Sequence, residues 1–182
     1  MTRLPYLDPA DLAPEDRALL VRPVNLYRAM VNSPGMTRAF LGLAQHIRHV
    51  SALDGRLREL AILQVGWVAR SAYEWSHHVA ISRDFGVTDA DILAIAVESR
   101  GEVSGLEPAA RAVLRAAREM AEGDLSPDGF AALAEHLDTA GITDLLVIIA
   151  FYAGVVRFLA AARIEVEPEY QRHLDQFPLP QG

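Results

Sequence analysis

Residues 56–86 read RLRELAILQVGWVARSAYEWSHHVAISRDFG, and this stretch decides the fold. From Leu57 to Ala69 nearly every position is apolar, which predicts a helix buried on most of its faces. Ser71 then stands where an N-cap belongs, and a second helix is expected from Ala72 to Phe85, stopped by Gly86.

Working outward, helix signals recur on both sides. Pro23 can open a short helix through Val31, and Ser33 followed by Pro34 opens one to about His49. Thr88 with Asp91 forms a capping box for a helix to about Ser99. Gly101 and Gly105 mark a loop before an amphipathic helix from Pro108 to Glu122. Ser126–Pro127 starts another, with Phe130, Leu133, Ala134 and Leu137 on one stripe, and Thr143 to Ala162 is the longest. No strand-period run exceeds a few residues, so the expected fold is all-α, one domain over residues 1–182. Residues 1–14 are expected as an N-terminal arm and residues 168–182, with three prolines, as a C-terminal arm reaching over the surface or a neighbouring subunit. The last long helix has few polar residues between Asp144 and Arg157. Such a helix needs cover on every side, which predicts a homo-oligomer.

Composition narrows the function classes. Of 182 residues 51% are hydrophobic, enough for one sizeable core. The net charge of −7, without clustered Lys and Arg, argues against nucleic acid. The chain has no cysteine, which removes disulfides, thiol nucleophiles and Cys-ligated zinc. The N-terminus lacks the apolar run of a signal peptide, and Leu145 to Val156 is too short to span a bilayer. A cytoplasmic protein with no membrane partner is expected.

Chemistry-bearing residues concentrate in the opening stretch. Glu59 shares a helix face with Ile62, Leu63 and Gly66, and a desolvated carboxyl there would be a general acid or base. The plainer role is an ion pair with Arg56 or Arg58. Glu74, His78, Ile81 and Phe85 fall on one stripe of the next helix, so Glu74 and His78 can exchange a proton. Ser71 and Glu74 also spell a capping box, which is the stronger reading of Ser71. His77 points about 100° away from His78. His46 and His49 are three apart on an earlier helix, but no HExxH or facial-triad spacing exists, and no metal site is expected. Phosphate-loop, dinucleotide and nucleophile-elbow motifs are absent.

Three segments together resemble the carboxymuconolactone decarboxylase family and its alkylhydroperoxidase-like relatives. They are Arg56-Leu57-Arg58-Glu59-Leu60, Glu74-Trp75-Ser76-His77-His78, and Gly86-Val87-Thr88-Asp89-Ala90-Asp91-Ile92. Residues 25–60 are similar to the family's N-terminal half, and residues 141–167 are more weakly similar to its C-terminal helix. The resemblance spans about four-fifths of the chain. It implies an AhpD-like multi-helix bundle of roughly eight helices. On the redox branch's pattern of Glu, CxxC and His, Glu59 takes the acid's place, Ser71 and Glu74 the two cysteines' places, and His78 the histidine's. Without thiols, peroxidase chemistry is excluded. The decarboxylase branch lacks CxxC and keeps a Glu four residues before a His, as Glu74 and His78 are. The resemblance therefore implies a cofactor-independent acid–base enzyme acting on a small unsaturated carboxylic acid, a decarboxylase or lactone-type lyase. Glu59, Glu74 and His78 would be catalytic, with Arg56 holding a substrate carboxylate and Ser71, Trp67 and Tyr73 beside it. The alternative is a non-catalytic ligand-binding or structural protein of the same fold, in which Glu59 and His78 pin two helices together.

Overall fold

The structure is a computed structural model, described here for residues 1–180. The described residues form α1 (Asn25–Met30), α2 (Pro34–His49), α3 (Gly55–Val68), α4 (Ala72–Ile81), α5 (Asp89–Ser99), α6 (Pro108–Glu122), α7 (Pro127–Ala134), α8 (Thr139–Ala162) and α9 (Gln171–Gln176), with no strand among them. The all-α expectation is met among the described residues.

α3 is the axis of the molecule. Every residue from Leu57 to Gly66 is buried, so the apolar run is surrounded as its composition requires. Asp54 starts it by accepting the Leu57 amide. α6, α8 and α4 pack around it. α6 approaches through small side chains, with Ala110, Ala112, Ala116 and Ala117 buried beside Val113 and Leu114. α4 approaches at Gly66, where a Cβ would lie 3.4 Å from the Trp75 amide nitrogen and 3.6 Å from Glu74 Cγ.

Local chemistry shifts several boundaries. α4 stops at Ile81 and tightens into a 3-10 turn, Ser82–Phe85, before Gly86 turns the chain at φ 84°. α8 begins at Thr139, a turn before Thr143, because Asp138 accepts the Gly141 amide and caps it there. Thr88 and Asp91 form the expected capping box. Ser33 sits at the N-cap position of α2 without a side-chain cap; Thr37 instead donates its hydroxyl to the Ser33 carbonyl.

The two arms are ordered against their own chain. The N-terminal residues run along α1 and the end of α8, with the Arg3 amide donating to the Ala162 carbonyl and the Leu7 amide to Arg28. Residues 168–180 lie along the surface. They form a 3-10 turn, Pro168–Tyr170, and α9, which packs on α4. The buried Trp75 indole N–H needs an acceptor and donates to the Phe177 carbonyl at 2.7 Å, drawing the tail inward. The last two positions of the expected C-terminal arm lie outside the described residues.

α8 is a core helix with one open side. Ile148, Ile149, Val155 and Val156 are buried, while Val147, Ala150 and Gly154 are exposed. Its 24 residues are long and apolar enough to cross a bilayer by length and composition, beyond the shorter run read from the sequence, and half of its most apolar window is buried inside the bundle.

Candidate functional site

The packing of α4 on α3 brings three of the expected residues into one line. Glu59 comes from the second turn of α3, and Glu74 and His78 lie one turn apart on α4. His78 Nδ1 is 2.7 Å from Glu59 Oε2, and His78 Nε2 is 3.1 Å from Glu74 Oε1. All three side chains are buried. The short Nδ1 contact places a proton on that nitrogen: Nδ1–H donates to the Glu59 carboxylate, and Nε2 faces Glu74. The Nε2–Glu74 contact is close but off the line of a good hydrogen bond, so Glu74 Oε1 has no aligned partner.

Burial acts on both carboxyls, with opposite results. Desolvation pushes Glu59 up, but His78 and the Arg58 guanidinium outweigh it and hold Glu59 below the usual carboxylate range. Glu74 is pushed up by desolvation, with the Glu59 charge adding to the rise; His78 and His77 oppose it incompletely. The surroundings therefore stabilise the anion at Glu59 and disfavour it at Glu74. Two carboxyls whose environments separate them in this way are the pattern of an acid and a stabilising base.

Arg58 is a site residue that sequence spacing understated. Its Nε lies 3.3 Å from Glu59 Oε1 and its guanidinium sits 4.2 Å over the Phe85 ring, and it is as buried as the carboxylate it faces. The plainer role of Glu59, an ion pair with Arg56 or Arg58, is thus realised with Arg58 alongside the histidine.

The line opens on a small cleft, open on one side, between α1, α2, α4 and α8. Glu74 and His78 form part of its wall, while Glu59 stands behind His78. Tyr27, Phe40, Phe151 and Tyr152 make the wall aromatic, and Arg22 and Arg48 supply positive charge. Tyr152 meets the His78 ring edge-on at 5.1 Å. Burial raises its phenol well above the usual range, and burial likewise raises Tyr27. Both therefore remain hydroxyl donors at neutral pH.

The expected substrate-binding residues fare differently. Arg56 faces away from the cleft. Its Nε and Nη2 bind Asp91 at 3.1 and 2.6 Å, and its Nη1 binds Glu107 at 2.6 Å. It bolts α3 to the start of α5 and does not line the cleft. Ser71 accepts the Glu74 amide as a cap, but the Ser71 amide donates to the Gly66 carbonyl, so Glu74 does not close the capping box and its carboxyl is free for His78. Ser71 and Trp67 are absent from the cleft wall. Trp67 packs on Trp75 with ring centroids 5.2 Å apart. Tyr73 does line the cleft, but its hydroxyl is engaged, accepting the Leu26 amide at 3.1 Å and donating to Glu167 Oε1 at 3.2 Å.

His77 takes a different role from His78, although both border the cleft. It stacks between Tyr73 and Tyr170, its Nδ1 is 2.9 Å from the Tyr73 carbonyl, and its Nε2 is 3.1 Å from Glu167 Oε2. It ties α4 to the C-terminal segment. His46 and His49 are exposed on α2, apart from this array. Among the described residues no three His, Asp or Glu side chains converge as a metal-ligand set.

The helical arrangement defines the class: an AhpD-like, all-α protein. Residues 34–119, which hold Glu59, Glu74 and His78, match the carboxymuconolactone decarboxylase family. The debrominase Bmp8, in a cysteine-to-alanine variant with 2,3,4-tribromopyrrole bound, is similar with a TM-score of 0.81 at 22% identity, over 97% of this chain and 98% of that one. A peroxidase-related AhpD-core protein from Ralstonia eutropha JMP134 gives a TM-score of 0.79 at 20% identity, over 98% of each chain. An Agrobacterium tumefaciens protein described as a putative antioxidant defence protein AhpD gives 0.68 at 23% identity, over 75% of this chain and 93% of that one. No curated protein matches the sequence.

Proposed function

We propose that this protein is a cofactor-independent acid–base enzyme acting on a small unsaturated carboxylic acid, with decarboxylation of an activated acid as its reaction. The observation that carries this reading is the Glu59–His78–Glu74 line: two carboxyls displaced in opposite directions on either side of one imidazole, at the wall of an aromatic cleft. The tribromopyrrole bound by Bmp8 is a small planar ring, the shape such walls favour.

Loss of CO₂ needs a sink for an electron pair, and a carbonyl or unsaturated lactone conjugated to the carboxylate provides one. The carbon–carboxylate bond breaks, its electron pair moves to the carbonyl oxygen as a dienolate, and CO₂ departs. The aromatic wall favours this step by displacing water from the carboxylate. A tyrosine hydroxyl of the wall, Tyr152 or Tyr27, can donate to the developing oxyanion. Protonated Glu74 then supplies the proton to carbon, directly or through His78 Nε2, and recovers one from solvent. Glu59 holds the His78 tautomer and stabilises the imidazolium when it forms. No thiol takes part, since the chain has none.

The test is ultraviolet-monitored turnover and CO₂ release with 4-carboxymuconolactone and a panel of β-keto and unsaturated acids, with a thermal melt of each variant. Wild type is expected to turn over a panel member, and His78→Ala to lose that activity by about two orders of magnitude while still folding. Full activity in His78→Ala would remove the role of the imidazole. Silence of wild type across the panel, with a sharp loss of stability in the variant, would favour a buried pin between helices.

A further inference from the structure

We infer that Arg48 anchors the anionic group of a small planar ring bound in the cleft between α1, α2, α4 and α8; this rests on reading that cleft as the active site. Arg48 stands in the last turn of α2 and is half-buried on the cleft wall. No carboxylate of the site hydrogen-bonds it. Glu59 is held by Arg58 and His78, Glu74 faces His78, and Glu167 receives the Asn25 amide and the Tyr73 hydroxyl. No described side chain bonds Arg48, and its forked N–H donors are left for a ligand.

The surroundings define that ligand. Phe40 and Phe151 lie 4.8 Å apart by ring centroid, and Tyr27 and Tyr152 extend the aromatic wall, which favours a flat apolar body. A chain of net charge −7 repels small anions at large, so a guanidinium at this position serves to recruit one locally. Burial disfavours the charge of Glu74, and Arg48 opposes that charge directly. The ligand class is a planar ring or conjugated monocarboxylate, held by its carboxylate on Arg48 with its reactive carbon turned toward His78.

Calorimetric titration with benzoate and 2-furoate, beside the neutral benzyl and furfuryl alcohols, tests this without turnover. Wild type should bind a carboxylate and bind its alcohol at least about tenfold more weakly. Arg48→Met should erase that preference with an unchanged melting temperature, and Arg48→Lys should restore part of it. Equal binding of benzoate by wild type and Arg48→Met, equal binding of acids and alcohols, or no binding of either acid by wild type would each overturn the inference. His78→Ala should retain carboxylate binding. If it does so while keeping full turnover, the catalytic reading fails and the Arg48 assignment stands.

Discussion

Glu59 and Glu74 reach the same imidazole from opposite sides, Glu59 at 2.7 Å from Nδ1 of His78 and Glu74 at 3.1 Å from Nε2. The two acids are chemically alike and differ in their neighbours. Glu59 has Arg58 beside it and an aligned hydrogen bond from the ring; Glu74 has neither. That difference makes the array directional, with the anion stabilised at Glu59 and the proton held more tightly at Glu74.

Removing the anion should expose its structural share. Glu59→Gln leaves the Arg58 guanidinium buried without a counter-charge, and the expected loss is about 3–5 kcal/mol. The pH dependence follows from the lowered pKa of Glu59. Its stabilisation is fully present above the ordinary carboxylate range and disappears as pH falls through the lower folded value. Urea melts should therefore show a large gap between wild type and variant at pH 7 that narrows in strong acid. An equal gap at both pH values would contradict the assigned charge state.

Arg56 should prove dispensable for chemistry. Arg56→Gln removes a partly exposed link to Asp91 and Glu107, for an expected cost of about 1 kcal/mol, with turnover within about twofold of wild type. A selective loss of activity in a well-folded variant would return Arg56 to the substrate.

The comparison of Arg56 with Arg58 shows what was legible in the sequence. Helical spacing set Glu74 and His78 on one stripe, and caps such as Thr88–Asp91 marked where helices start, because these signals are local. Family spacing added Glu59 opposite the histidine. Which of two arginines would turn inward depended on α5 presenting Asp91 to Arg56 and on Phe85 shelving Arg58. Arg48, Tyr27 and Tyr152 come from α2, α1 and α8, and they meet only after the bundle has closed. The prolines of the tail marked a surface segment but not its anchors, because the buried donors of Trp75 and Tyr73 find their acceptors in Phe177 and Glu167 only in the folded chain.

Glu167 should hold that tail in place. Burial pushes its carboxyl up, but His77 and the Asn25 amide outweigh this and hold it below the usual range. Its contribution is therefore present at neutral pH and fades as pH falls through the lowered value. Glu167→Ala should cost about 1–3 kcal/mol and speed hydrogen exchange in residues 168–180. Unchanged exchange there would show that α9 is held by its apolar contacts alone.

The central claim is that Glu74 carries a proton beside His78 at a pH where a solvated glutamate does not. Infrared difference spectroscopy of wild type against Glu74→Gln at pH 6 measures this directly, since free glutamate titrates near pH 4.3. The account predicts a protonated-carboxyl C=O band in wild type that the variant lacks and that fades as pH rises. A spectrum with no such band, showing only ionised carboxylate at Glu74, would contradict the account.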